Sequence, residues 1–261
     1  METNIIYNED NVIGLKRIPD ESIDLCLTSP PYDNMRDYNG YTFDFEKLAK
    51  ELKRVLKPGG VIVWIVGDAV VKGSETLSSF KQALFFKEIG LNIFDTMIYE
   101  KEARGAVGNN ATYWQSFEYM FIISKGKPKT INLICDRKNK ESRNGDTGTK
   151  RLVNGELKRI QRKGYGEYGR RTNIWRYGIG RGKSTKDNYA FAHPAIFPEK
   201  LAYDHIISWS NIGDIVLDPF MGSGTTAKMA KLANREYIGF EISTEYCLLA
   251  NKRLNDSNYL L

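Results

Sequence analysis

The 261-residue chain is 41% hydrophobic and 27% charged, the balance of a globular protein, and no stretch approaches the roughly 20 apolar residues a bilayer span needs. Two histidines, and three cysteines (Cys26, Cys135, Cys247) that form no Cys-x-x-Cys pair, argue against a metal centre and a disulfide framework. The net charge of +6 is unevenly placed: Lys125 to Lys186 carries 19 Lys or Arg against 5 Asp or Glu, which leaves −8 for the remainder. The opening Met1-Glu2-Thr3-Asn4 has no signal pattern, so a cytoplasmic protein without a membrane partner is expected.

In chain order, Asn4 to Asp10 reads as a strand ending in acids, and Val12 to Ile18 as a short helix closed by Pro19. Ile23 to Leu27 reads as a buried strand, Asp33 to Phe43 as a loop, and Phe45 to Leu56 as a helix ended by Lys57-Pro58-Gly59-Gly60. Val61 to Val66 is apolar enough for a central parallel strand. A helix over Ser78 to Ile89, a strand over Leu91 to Tyr99, a polar gap at Arg104 to Asn110 and a strand over Phe117 to Ser124 follow. Lys125 to Asn188, with ten glycines and little periodicity, reads as an insertion into a domain made of residues 1–124 and 189–261. The pattern resumes with a helix at Leu201 to Ser210, a strand at Asp214 to Asp218, a turn at Pro219 to Thr226 and a helix at Ala227 to Ala233. A strand at Tyr237 to Glu241 and a helix at Thr244 to Leu254 complete it. Strands alternating with helices predict an α/β fold whose mostly parallel sheet is flanked by helices.

Two stretches carry chemistry. Thr28-Ser29-Pro30-Pro31-Tyr32 closes the second strand, because neither proline can donate a ladder hydrogen bond. Each residue before a proline is held extended, so the Ser29 and Pro30 carbonyls are stiffly placed beside a hydroxyl and an aromatic ring. Such a cup of acceptors at a strand's carboxyl end suits a planar group bearing N–H donors. The second stretch, Asp218 to Thr226, joins strand to helix through Gly222-Ser223-Gly224-Thr225-Thr226-Ala227, a Gly-x-Gly-x-x-Gly/Ala turn. Glu241 follows Gly222 by 19 residues, near the spacing at which an acid meets ribose hydroxyls. This turn has no Gly-Lys-Ser/Thr, so it reads as a nucleoside site and not a triphosphate P-loop.

With both stretches in order, the chain resembles the S-adenosylmethionine-dependent amino-group DNA methyltransferases. It looks like the circularly permuted, beta-class arrangement, in which the catalytic motif precedes the cofactor motif and a target-recognition segment lies between them. The resemblance implies a Rossmann-like methyltransferase fold, with Lys125 to Asn188 as the recognition insertion. It makes Ser29, Pro30, Pro31 and Tyr32 catalytic, Tyr32 stacking on a flipped base. For the cofactor it implies Glu241 on the ribose, Asp10 near the adenine amine, and Phe220, His193 and Phe197 as walls. Gly222, Ser223, Gly224, Thr225, Thr226 and the helix start would face the methionine end, with Thr28 close by. Asp218 would meet the methionyl amino group or order the loop.

Serine in the motif implies methylation at N4 of cytosine in double-stranded DNA, with N6 of adenine as the alternative; no metal is implied. A nicotinamide-dependent oxidoreductase or a non-catalytic DNA-binding protein are more distant alternatives. A cognate restriction endonuclease and a second copy of the chain are candidate partners. In the basic segment, Tyr165, Tyr168, Trp175 and Tyr177 would either assist base extrusion or form a small core.

Overall fold

The computed structural model describes residues 1–31, 44–102, 113–140, 144–164 and 166–256. Tyr32, the expected loop at Asp33 to Phe43, the polar gap at Arg104 to Asn110, and Tyr165 lie outside these residues. The chain divides into two units, one of residues 1–132 with 173–261 and one of residues 133–172.

The larger unit begins with β1 (Ile5–Tyr7), α1 (Asn11–Leu15), β2 (Ile23–Thr28), α2 (Phe45–Val55) and β3 (Leu56–Val66). A small hairpin of β4 (Val70–Val71) and β5 (Ser74–Glu75) precedes α3 (Ser78–Glu88), β6 (Asn92–Glu102) and β7 (Phe117–Ser124). In the smaller unit lie β8 (Arg137–Lys138), β9 (Asp146–Arg151), β10 (Leu157–Arg162) and β11 (Tyr168–Gly169). The larger unit resumes with β12 (Ile174–Gly178), a 3-10 turn at Asn188–Ala192, α4 (Glu199–Trp209), β13 (Ile215–Asp218), α5 (Thr225–Leu232), β14 (Glu236–Phe240) and α6 (Thr244–Asp256). Among the described residues no helix is long and apolar enough to cross a membrane.

Eight strands form one sheet in the order β1-β14-β13-β2-β3-β7-β6-β12, and every pairing is parallel except the two made by β7. Side chains alternate across it, as strand geometry requires. Cys26, Ile62, Trp64, Phe121, Ile123, Leu217 and Ile238 point to one face and share a buried cluster with α1, α2 and α3. The alternate residues Leu25, Leu27, Val61, Val63, Ile122 and Val216 are also buried, and α4 lies against β2. Both faces are therefore covered, which is why the central strands read as continuous apolar runs.

Two expectations need correction. Lys57-Pro58-Gly59-Gly60 ends α2 but lies within β3, with a register shift between Ile23 and Leu25 of β2. The irregular stretch is held from the other side, Gly59 N–H donating to Lys125 O at 2.7 Å and Lys129 N–H to Gly59 O at 2.9 Å. The insertion boundaries also move. Residues 173–188 belong to the larger unit, because Ile174 to Gly178 pairs in parallel with Ile98 to Glu102. Trp175 and Tyr177 are buried there, at 6% and 9% exposure, with Tyr177 Oη donating to Asp204 at 2.7 Å. They are core of the sheet's edge, not free to wedge into a duplex; Tyr168, in the other unit, is exposed.

The smaller unit, taken by itself, contains two antiparallel ladders, β9–β10 and β8–β11. The Arg171–Asp136 ion pair and the Arg171 N–H to Ile134 O bond of 2.9 Å link its two ends.

Where α1 crosses the sheet, Gly14 is needed for space. A methyl group there would collide with the Phe240 ring edge, and Phe240 is fully buried and stacked on Tyr7. Gly14→Ala is expected to destabilise the protein by about 1–3 kcal/mol through overpacking, read as a lower denaturation midpoint. An unchanged midpoint would show that the ring can move aside.

Candidate active site

The two stretches singled out by their chemistry meet. β2 and β13 are parallel neighbours, so their carboxyl ends lie side by side, and Thr28 Oγ1 donates to Asp218 Oδ1 at 2.7 Å across 190 residues of sequence. Thr226, in the first turn of α5, donates to Asp218 Oδ2 at 2.7 Å, and the Phe220 N–H donates to Oδ1 at 3.0 Å. Asp218 is 1% exposed. Its described partners are hydroxyls and an amide, so burial dominates and raises its carboxyl to about 6, against the opposing pull of those three bonds. Of the two roles open to it, this geometry favours ordering the loop. Ser29, half-buried, and Pro30, buried, follow Thr28 directly, with Pro31 half-buried after them.

The glycine turn is held on every side. Glu241, at the end of β14, accepts from Gly222 N–H at 2.7 Å and from Ser243 N–H at 2.8 Å, and its burial raises the carboxyl from its ordinary value despite these bonds. Gly222 and Gly224 adopt left-handed φ of +52° and +81°. A side chain at Gly222 would meet the His193 ring at 2.9 Å, and one at Gly224 would meet Ala250 Cβ at 2.8 Å. His193 therefore stands against the turn, with its ring edge-on to Tyr246 at 4.4 Å between centroids. Phe197 is half-buried just before α4, and Phe220 packs against the core cluster. Asp10 is the N-cap of α1, accepting from Ile13 N–H at 3.0 Å. Next to it, Asn11 donates to Pro219 O at 3.1 Å and so anchors the turn to α1.

Sequence reasoning missed the support behind the turn. Arg253 of α6, fully buried, donates to Ser223 O at 2.6 Å and Thr225 Oγ1 at 3.2 Å. It also pairs with Asp187 at 2.9 Å and Glu199 at 2.7 Å. Lys228, one turn into α5, reaches the same two carboxylates at 2.7 and 2.8 Å. Two cations and two anions thus balance out of water. Burial alone would raise Asp187, but the hydrogen bonds from Lys228 and Arg253 outweigh it and hold that carboxyl below its ordinary value. A signal existed: Arg253 and Lys228 both sit among buried apolar residues of their helices, where an unpaired charge would be costly.

A family model described as DNA methylase, for N6 and N4 methyltransferases, matches residues 23–252. The chain belongs to this DNA methylase family. The orphan methyltransferase M.BamHII of Bacillus amyloliquefaciens is 61% identical to the methylase over 249 residues, covering 94% of this chain and 93% of its own. The DNA adenine methyltransferase YhdJ of Escherichia coli is 28% identical over 275 residues, covering 99% and 85%. Among solved structures, the PvuII DNA methyltransferase (cytosine-N4-specific) matches with a TM-score of 0.68 at 20% identity, covering 100% of this chain and 89% of that one. TTHA0409 of Thermus thermophilus, complexed with S-adenosyl-L-methionine, matches at 0.63 with 23% identity, covering 97% and 95%. The methylase shares their α/β fold with a mostly parallel sheet.

Two outcomes follow from the buried groups. The folded-state carboxyl of Asp218 lies above the ~3.9 of an unfolded aspartate, so folding disfavours its charged form. That penalty is absent below about pH 4 and complete above about pH 6, so it grows as pH rises through the window. In Asp218→Asn the fall in stability between those limits is expected to shrink by on the order of 3 kcal/mol, measured by denaturant titration at several pH values. Parallel curves for the two proteins would refute it. Arg253→Leu strands two buried carboxylates on one lysine and is expected to cost about 3–5 kcal/mol of stability in the same assay.

Proposed function

We propose that the methylase transfers a methyl group from S-adenosylmethionine to the exocyclic N4 amine of a flipped cytosine in duplex DNA. The observation that carries this is the Thr28–Asp218 hydrogen bond, which ties the acceptor cup to the glycine turn at the ends of adjacent strands. The residues present suit such a cofactor. The two glycines place no side chain over the turn, and the buried Glu241 carboxylate has lone pairs beyond the Gly222, Ile242 and Ser243 amides it accepts from. When bound, S-adenosylmethionine supplies a methyl group on a sulfonium, activated without metal or covalent enzyme intermediate. Glu241 would hold the ribose hydroxyls and Asp10 the adenine amine. Phe220, His193 and Phe197 would wall the site, and Ser223, Thr225 and Thr226 at the start of α5 would face the carboxylate.

Cytosine's amine is a poor nucleophile because its lone pair is delocalised into the ring. Ser29 Oγ and the Pro30 carbonyl would accept its two N–H bonds and draw the nitrogen toward tetrahedral geometry, an effect greatest in the transition state. Tyr32 would stack on the base once it has left the duplex. Serine in the motif supports cytosine, while the likeness to a relative named as an adenine methyltransferase keeps N6 of adenine as the second reading.

Incubation with S-adenosylmethionine and mixed-sequence duplex DNA, followed by digestion and nucleoside mass spectrometry, is expected to give N4-methylcytosine. N6-methyladenine would overturn the choice of base, and no methylated base the reading itself. Ser29→Ala is expected to lower turnover on the order of a hundred-fold with cofactor affinity kept. Glu241→Ala is expected to weaken cofactor binding roughly ten- to hundred-fold by calorimetry; the reverse pattern would sink the assignment.

A further inference from the structure

The β9–β10 hairpin has two unlike faces. Residues opposite one another across an antiparallel ladder share a face, and the register pairs Thr147 with Gln161, Thr149 with Arg159 and Arg151 with Leu157. All six are exposed. The other face pairs Asp146 with Arg162, Gly148 with Ile160 and Lys150 with Lys158, and Asp146, Gly148 and Ile160 are half-buried. Arg162 lies across Gly148, where a methyl group would collide with its guanidinium. One face thus turns inward within the smaller unit, and the solvent face carries two hydroxyls, a carboxamide and two guanidiniums.

Leu157, 62% exposed, is the one apolar side chain among those six, and the charge of the unit does not favour a protein partner. Residues 133–172 hold 12 Lys or Arg against 5 Asp or Glu, and Lys150 and Lys158 stand directly opposite one another, an arrangement that repels unless an anion lies nearby. A two-stranded ribbon is one of the two elements that fit the major groove of B-DNA, where Arg pairs with guanine and Gln with adenine through two hydrogen bonds. Successive pairs on one face of a ribbon are about 7 Å apart, close to two base-pair steps. Arg151 is partly committed, donating to Gly155 O at 3.1 Å within the hairpin's own turn.

We infer that the solvent face of the β9–β10 hairpin reads base edges in the major groove, with Arg159 and Gln161 as specificity-determining residues. The inference rests on the proposed methylation of duplex DNA. Its test is to map the methylated positions in a random-sequence duplex library. Wild-type protein is expected to give a defined consensus; Arg159→Ala and Gln161→Ala each relax it at one base pair, with discrimination falling roughly 5- to 150-fold there. A consensus unchanged in the Arg159 and Gln161 variants, a uniform loss of their methylation, or a wild type without sequence preference overturns the hairpin's role while leaving the methylation reading intact. Wild type that methylates no DNA removes that reading, and the inference with it.

Discussion

A buried carboxylate with no cation among its described partners is the constraint on which the site depends. Asp218 sits at the end of β13 with two threonine hydroxyls and one amide as its described partners, and its raised pKa measures how incompletely they replace water. Each donor comes from a different place: the end of β2, the first turn of α5, and the loop between β13 and α5. Losing any of them would leave more of the charge uncompensated, so the anion couples three elements more tightly than three neutral contacts would. Ser29 follows Thr28 directly, so this group together with the β2–β13 pairing sets where the residues after β2 lie relative to the glycine turn.

The turn itself carries two left-handed glycines, a conformation that costs backbone entropy and holds only where surroundings over-determine it. Here they do. Asp218 grips the turn from the sheet, Glu241 takes the Gly222 amide, Asn11 holds Pro219, and Arg253 clamps Ser223 from behind. Arg253 can occupy that buried position because Lys228, Asp187 and Glu199 complete a neutral cluster around it. A loop fixed before its ligand arrives loses little further freedom on binding, and that lowers the cost of association.

Much of this was legible in the sequence because it is local. The apolar runs of β2 and β3, the proline stop after Thr28, the glycine turn and the acid after β14 are each written within a few residues of where they act. What escaped is non-local. The cluster around Arg253 brings together residues up to 66 apart, and neither member of a pair announces the other. Pro58-Gly59 reads as a helix end, and is one, but the strand resumes at once because the segment after β7 supplies the hydrogen bonds. Trp175 and Tyr177 lie in glycine-rich, basic sequence that disguises a five-residue strand; only alternation across Ile174 to Gly178 hints at it, and pairing with β6 decides it. Asp10 illustrates a different ambiguity, since an acid between a strand and a helix can serve as cap, as ligand or as both; in the structure its Oδ1 caps α1.

The sheet order explains how two stretches far apart in sequence come to lie side by side. From β13 the chain proceeds to β14 on one side, and from β2 it proceeds to β3 on the other. The loops leaving these adjacent strands diverge, and in open α/β sheets that divergence is where a ligand crevice forms. Thr28 and Asp218 bridge the two strand ends at that point. Asp218 and Thr28 stand 190 residues apart yet occupy neighbouring strand ends. Strand order supplies that adjacency, whatever the order in which the chain visits the two strands.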